Sequence, residues 1–210
     1  MRRVPVIQHG KELEEELTEA ARRVAGEAPR KAIHLASIVI PLGILHAPLG
    51  VTRRVLVLVG VGFLIFDLMR IHHPKLRTYF GVFFGSIIRL HETRGVMGST
   101  YLLISALLVT WLFDVHTAAA ALIYLIVGDT FAAMIGKAWG RTKLFGKSLE
   151  GFAGGFLVSF AAVAFLVPEI PLEVLLAGAL AASVVEILPL PVDDNFRIPL
   201  VAGVVIQSLM

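Results

Sequence analysis

Apolar residues run along this chain in long blocks separated by short polar stretches, and the blocks have the length of bilayer-crossing helices. A helix needs about 20 mostly apolar residues to cross a ~30 Å hydrocarbon core. Seven blocks qualify as spans, at 33–49, 53–69, 96–113, 117–135, 152–167, 172–188 and, as a short one, 196–209. Pro29 suits the first turn of the first of them, where its missing N–H costs nothing. Segment 75–90 is different. Its uncharged part, 78–88, is too short to cross and its flanks carry Lys75, Arg77 and Arg89, so it is expected in the interface, with a re-entrant helix as the alternative. At 11–28, Glu12, Glu14, Glu15, Glu16 and Glu19 alternate with Leu13, Leu17, Ala20, Ala21 and Val24 at helical spacing, the pattern of a short amphipathic surface helix. The expected architecture is all-α: a polytopic membrane bundle of about seven transmembrane helices at 29–210, behind a cytoplasmic surface helix at 1–28.

Composition agrees with the pattern. Hydrophobic residues make up 57% and charged residues 17%, and the mean hydropathy is +0.82. No soluble core of this size hides that much apolar surface, so lipid is part of the solvent. Met1 to Arg30 has no apolar stretch of signal-peptide type, and the first span is expected to be retained. Cysteine is absent, which removes disulfides, thiolate metal sites and cysteine nucleophiles.

The formal charge of +3 is carried by basic residues scattered at helix ends, a pattern that suits membrane phosphates and a nucleotide and not nucleic acid. Arg30 and Lys31 precede the first span; Arg70, Lys75, Arg77, Arg89 and Arg94 lie between the second and third; Lys137, Arg141, Lys143 and Lys147 follow the fourth. The opposite face has only Arg53 and Arg54. By the positive-inside rule the N-terminus and the basic loops are cytoplasmic and the C-terminus is outside.

Candidate chemistry gathers on the same face. Asp129 lies inside the fourth span, about two turns (~12 Å) from Lys137. An intramembrane carboxylate is costly unless paired, solvated or bound to a cation, so it marks a functional site by default, with an ion pair to a neighbouring helix as the plain alternative. The following loop carries Gly136, Lys137, Gly140, Arg141, Lys143, Gly146, Lys147, Ser148 and Glu150. Glycine there lets backbone N–H groups approach oxygens and the cations neutralise charge, which suits phosphates, with a positive-inside anchor as the alternative. It is not a Walker loop, because five residues and not four separate Gly140 from Gly146. Between the last two spans stand Glu186, Asp193, Asp194 and Asn195, oxygen ligands of the kind Mg²⁺ takes, although Asp194 or Asn195 also suits the cap of the final helix. Arg30 and His34 share a helix face four residues apart. Asp67 is close enough to Arg70 to be neutralised locally. Carboxylates, cations and glycines together at headgroup depth suit Mg²⁺-assisted phosphoryl or nucleotidyl transfer from a soluble nucleotide to a lipid.

Several ordered motifs resemble the CTP-dependent lipid kinases that include dolichol kinase, phytol kinase and the yeast-type diacylglycerol kinase, a group related to the phosphatidate cytidylyltransferases. They are Arg30-Lys31-x-x-His34, Arg89-x-x-Glu92-x-x-x-x-x-Gly98-x-x-Tyr101, Gly128-Asp129-x-x-Ala132-x-x-x-Gly136-x-x-x-Gly140, Lys147-Ser148-x-Glu150-Gly151, and Glu186 followed by Asp194-Asn195. The resemblance implies transfer of the CTP γ-phosphate to a lipid hydroxyl with a divalent cation, the acceptor being a polyprenol or dolichol-type alcohol, or diacylglycerol. On that basis Asp129, Glu186, Asp194 and Asn195 are expected to hold Mg²⁺. Lys147, Ser148, Arg141, Lys143, Gly146, Arg30, Lys31 and Arg94 are expected around the phosphates, and Asp129, His34 and Glu150 in catalysis. The cytidylyltransferases carry a longer Lys-Asp and Gly-His-Gly-Gly signature that this chain lacks, which makes CDP-lipid synthesis the second reading. A small transporter or scaffold is the alternative of another class; the halves show no convincing inverted repeat in its support. The oligomeric state, a homo-oligomer included, is left open.

Overall fold

The computed structural model describes residues 19, 24, 25, 27–84, 92 and 95–210. The surface helix expected at 11–28 therefore lies almost wholly outside the described residues, as do Arg89, His91 and Arg94. The described chain is helical apart from one small β-ribbon. In order come α1 (Ala28–Ala36), α2 (Val39–His46), α3 (Leu49–His72), α4 (Pro74–Phe84), α5 (Gly98–Leu112), α6 (Val115–Ile123), a π-helical turn (Tyr124–Gly128), α7 (Asp129–Trp139), β1 (Lys143–Leu144), β2 (Lys147–Ser148), α8 (Leu149–Leu166), α9 (Leu172–Ile187) and α10 (Asp194–Leu209). A helix stands at each of the seven expected positions. Four stretches are long and apolar enough to cross a membrane, Ala28–His46, Leu49–His72, Val115–Trp139 and Leu149–Leu166. Outward faces among them are apolar, with Leu58 and Phe165 largely exposed. This is an all-α membrane protein whose outer surface is solvated by lipid.

Pro29 opens α1 as expected. Pro41 has no N–H to return to Ser37, so α1 and α2 do not join smoothly; local bonds Ser37 N to His34 O and Ile40 N to Ser37 O carry the chain across a break. The break falls beside His34.

The centre of the bundle is the α6–π–α7 rod. Ala118 to Ile126 are essentially inaccessible, and the run of small residues Ala118–Ala121 allows neighbouring helices to pack close. Buried polar groups inside the rod are satisfied: the Tyr124 hydroxyl donates to Leu175 O at 2.7 Å and Thr130 Oγ1 donates to Ile126 O at 2.7 Å. The π turn adds one residue ahead of Asp129 and so helps set which way that carboxylate faces. Such turns often sit at functional sites.

Helices α7 and α8 meet along a seam of small residues. A side chain at Gly151 would stand 2.5 Å from the Ala132 carbonyl oxygen, and one at Gly155 2.8 Å from the Gly128 carbonyl oxygen. Backbone cannot yield as a flexible side chain would. Gly151→Ala is expected to destabilise the bundle by ~1–3 kcal/mol through overpacking, read as a lower melting temperature in detergent.

At the other side Pro199 lies inside α10 and leaves the Asn195 carbonyl without its helical donor. The Ser105 hydroxyl of α5 takes that place, donating to Asn195 O at 2.7 Å. Asp67 and Arg70 of α3 are fully buried and form the expected local pair at 2.8 Å. They also hold the approach to α5: Arg70 donates to Glu92 O and Gly95 O, while Asp67 Oδ2 accepts from Met97 N and Thr100 Oγ1.

Candidate functional site

The stretch after α7, expected as a glycine- and cation-rich loop, contains a small β-hairpin with Lys143 opposite Ser148 and Leu144 opposite Lys147. Its turn residues Phe145 and Gly146 both have positive φ, 51° and 84°, the requirement of a tight hairpin of this hand. The ribbon lifts Lys143 and Lys147 beside the start of α8, where buried Ser148 caps the helix by accepting from Gly151 N at 3.0 Å.

A cavity of about 250 Å³ opens at this end of the bundle. Its walls come from the start of α1, the whole of α7, the hairpin, and the junction of α9 and α10. Asp129, Glu186 and Asp194 line it together with Arg30, Lys31, Lys137, Lys143 and Lys147. Residues 98 or more positions apart thus share one polar chamber at the end of an apolar bundle.

Each acid is matched. Lys31, 1% exposed, donates to Asp129 Oδ2 at 2.5 Å and to Asp129 O at 2.9 Å, so the ion pair weighed as the plain alternative is present and lies on the cavity wall. His34 Nε2 stands 3.5 Å from the same Oδ2 and has no hydrogen-bond partner. Lys147 Nζ bridges Glu186 Oε1 at 2.7 Å and Asp194 Oδ2 at 3.0 Å, and Arg197 pairs with Asp194 Oδ1. Burial works against the Lys147 charge, but Glu186 and Asp194 outweigh it and hold its pKa above the ordinary lysine value.

Other expected residues are placed differently. Asp193, not Asp194 or Asn195, supplies the side-chain cap of α10, accepting from Asn195 N. Asn195 does not line the polar cavity; its amide packs where a Cβ on Gly98 would be 2.7 Å away, beside Glu92, whose Oε1 accepts from Gly98 N. Arg141 is exposed and away from the cavity lining, and Glu150 instead holds the hairpin by accepting from Thr142 N at 3.0 Å. Arg94 lies outside the described residues.

One charged cavity residue escaped the sequence reading. Glu27 bridges Lys137 at 2.6 Å and Arg30 at 2.5 Å across the rim. Burial tends to raise its pKa, but the hydrogen bonds from Lys137 and Arg30 prevail and bring it down to about 2. A lowered carboxylate contributes stability above its unfolded value, near 4.5, and loses it as pH falls through its folded value. Glu27→Gln is therefore expected to melt earlier than the parent at neutral pH, with the difference vanishing as pH falls to about 2.

Among the described residues no three acidic or histidine side chains stand close enough to form a protein-only metal site. Magnesium bound mainly through substrate phosphates requires only one or two carboxylates. Glu186 and Asp194, whose oxygens converge on one Lys147 ammonium, are chemically suited to that arrangement.

An uncharacterised protein of Rickettsia prowazekii is 27% identical over 183 residues, covering 83% of this chain and 90% of that protein. The CTP-dependent diacylglycerol kinase 1 of Eremothecium gossypii is 24% identical over 213 residues, covering 88% of this chain and 67% of the kinase. No solved structure matches the chain. The cytidylyltransferase family matches residues 13–191, more than half of the chain, and the protein is thus a member of that family.

Proposed function

We propose that the protein is a lipid kinase that transfers the γ-phosphate of CTP to the hydroxyl of a membrane lipid alcohol, a polyprenol or dolichol-type alcohol first and diacylglycerol second, and releases CDP. The reading rests on one observation: Asp129, with His34 beside it, borders a cavity that also gathers Lys31, Lys143 and Lys147. The Lys and Arg pattern supports a cytoplasmic cavity and N-terminus with the C-terminus outside.

In this mechanism Lys143, Lys147, Arg30 and Lys137 hold the triphosphate, and the start of α8 adds backbone N–H groups. His34 Nε2 takes the proton as the alcohol oxygen bonds to Pγ; the bond from Pγ to the β-bridging oxygen breaks and its electron pair leaves on CDP. Asp129, already held by Lys31, stands 3.5 Å from the same nitrogen and balances the imidazolium charge. Glu186 and Asp194 would hold Mg²⁺, which when bound neutralises charge on the phosphates. Glu150 keeps the hairpin in place.

The test is transfer by purified protein supplied with γ-labelled or α-labelled CTP, Mg²⁺, and polyprenol, geranylgeraniol, diacylglycerol or phosphatidate. Lipid-borne γ-label from an alcohol is the expected result. Label from α-CTP on phosphatidate would make the protein a cytidylyltransferase, and a folded protein inert with every acceptor would favour a transporter or scaffold.

A further inference from the structure

A second cavity, of about 340 Å³, lies on the other side of His34. Its body is apolar, walled by Ile33, Val59, Phe63, Phe80, Phe84 and Leu103 from α1, α3, α4 and α5. The neighbouring outward faces of α3 and α4 are also apolar, with Leu58, Val82 and Phe83 three-quarters exposed. The polar cavity has the opposite surroundings, because its rim carries Glu27, Lys137 and Lys143.

The two cavities meet at one place. Arg30 lines both, while His34 lines the apolar one and Asp129 the polar one, with His34 Nε2 and Asp129 Oδ2 3.5 Å apart. His34 Nε2 is buried without a hydrogen-bond partner, a state that costs free energy unless another group satisfies it. The Pro41 break falls next to it, and Ser37 lines the same end of the apolar cavity. A hydroxyl at the tip of a hydrocarbon chain supplies what this end lacks.

We infer that the apolar cavity is the acceptor site: it takes the hydrocarbon segment next to the hydroxyl of a membrane lipid alcohol and presents that hydroxyl to His34. The assignment rests on the kinase reading for its consequence, though not for its geometry. Nucleotide reaches the site from water and alcohol from the bilayer, and the reactants meet at the His34–Asp129 pair. Val59 and Phe63 then set how bulky a chain can be seated.

The first test needs no variant. A long-chain prenol and a diacylglycerol, each with a photoreactive diazirine near the hydroxyl, are irradiated with the protein in lipid nanodiscs and the adducts mapped by mass spectrometry. Label concentrated on 33–37, 59–63 and 102–103 with either probe is the expected result. Label spread evenly over the outer faces of α3, α8 and α9 overturns the assignment. In the second test Val59→Trp is expected to raise KM for the lipid alcohol about tenfold, equivalent to ~1.4 kcal/mol, with KM for CTP and the melting temperature unchanged. Phe63→Trp serves if Val59→Trp does not fold. An unchanged alcohol KM in a folded variant overturns the assignment. The two readings separate cleanly: cavity labelling without any γ-transfer keeps the acceptor site and removes the kinase, whereas γ-transfer with label elsewhere keeps the kinase and removes the site.

Discussion

Replacing Asp129 by Asn is expected to lower phosphate transfer on the order of 10²–10⁴-fold, the range that a positioned acid–base group supplies. Asn keeps the size of the side chain, and the Lys31 bond to the backbone oxygen of residue 129 does not depend on the carboxylate. What disappears is the charge that balances a proton on His34. Loss of a carboxylate facing a buried lysine also threatens the fold, because breaking a buried pair can cost ~3–5 kcal/mol. The pair Lys31→Met and Asp129→Asn separates the effects. If the double variant recovers melting temperature and remains inactive, Asp129 acts in the chemistry. Recovery of turnover along with stability would reduce it to a structural partner of Lys31.

The helical plan was legible in the sequence because lipid solvation enforces long apolar blocks and leaves Pro and Lys or Arg at their ends. The seven helix positions, Pro29 in the first turn and the local Asp67–Arg70 pair all follow from patterns within a few residues. The candidate site was legible in part for a similar reason. Asp129 stands out in any apolar block, and the cations after it are dense. What stayed hidden depends on contacts between distant segments. No periodicity tells that Lys31 meets Asp129 across 98 positions. Glu27 sits at the end of an acid-rich stretch and looks like one more solvated residue until Lys137 and Arg30 close on it. The hairpin was unreadable because Phe145 adopts a positive φ that glycine or asparagine ordinarily fills. Asn195 was placed among metal ligands by its neighbours in sequence, yet one residue of helix turns a side chain by about 100°, and it faces the apolar cavity instead.

Lys147→Met is expected to have the other large effect, and on two quantities at once. Lys147 is the cation shared by Glu186 and Asp194. Its raised pKa means that it contributes stability at all pH values below the unfolded value of 10.5 and loses it only as pH rises through the folded value above that. Removing it leaves two carboxylates facing each other, of which only Asp194 retains a neighbouring guanidinium, Arg197. The stability loss should fall below the ~3–5 kcal/mol of a fully buried pair, since the lysine side chain is 35% exposed. On the catalytic side, loss of one charged hydrogen bond to phosphate is worth ~1.5–3 kcal/mol, so KM for CTP should rise ~10–100-fold. Adding Glu186→Gln to Lys147→Met relieves the repulsion. If the double variant regains its melting temperature while KM for CTP stays high, Lys147 binds the nucleotide in its own right. If KM recovers with stability, the lysine only keeps the acids apart and the phosphates must be held by Lys143, Arg30 and Lys137.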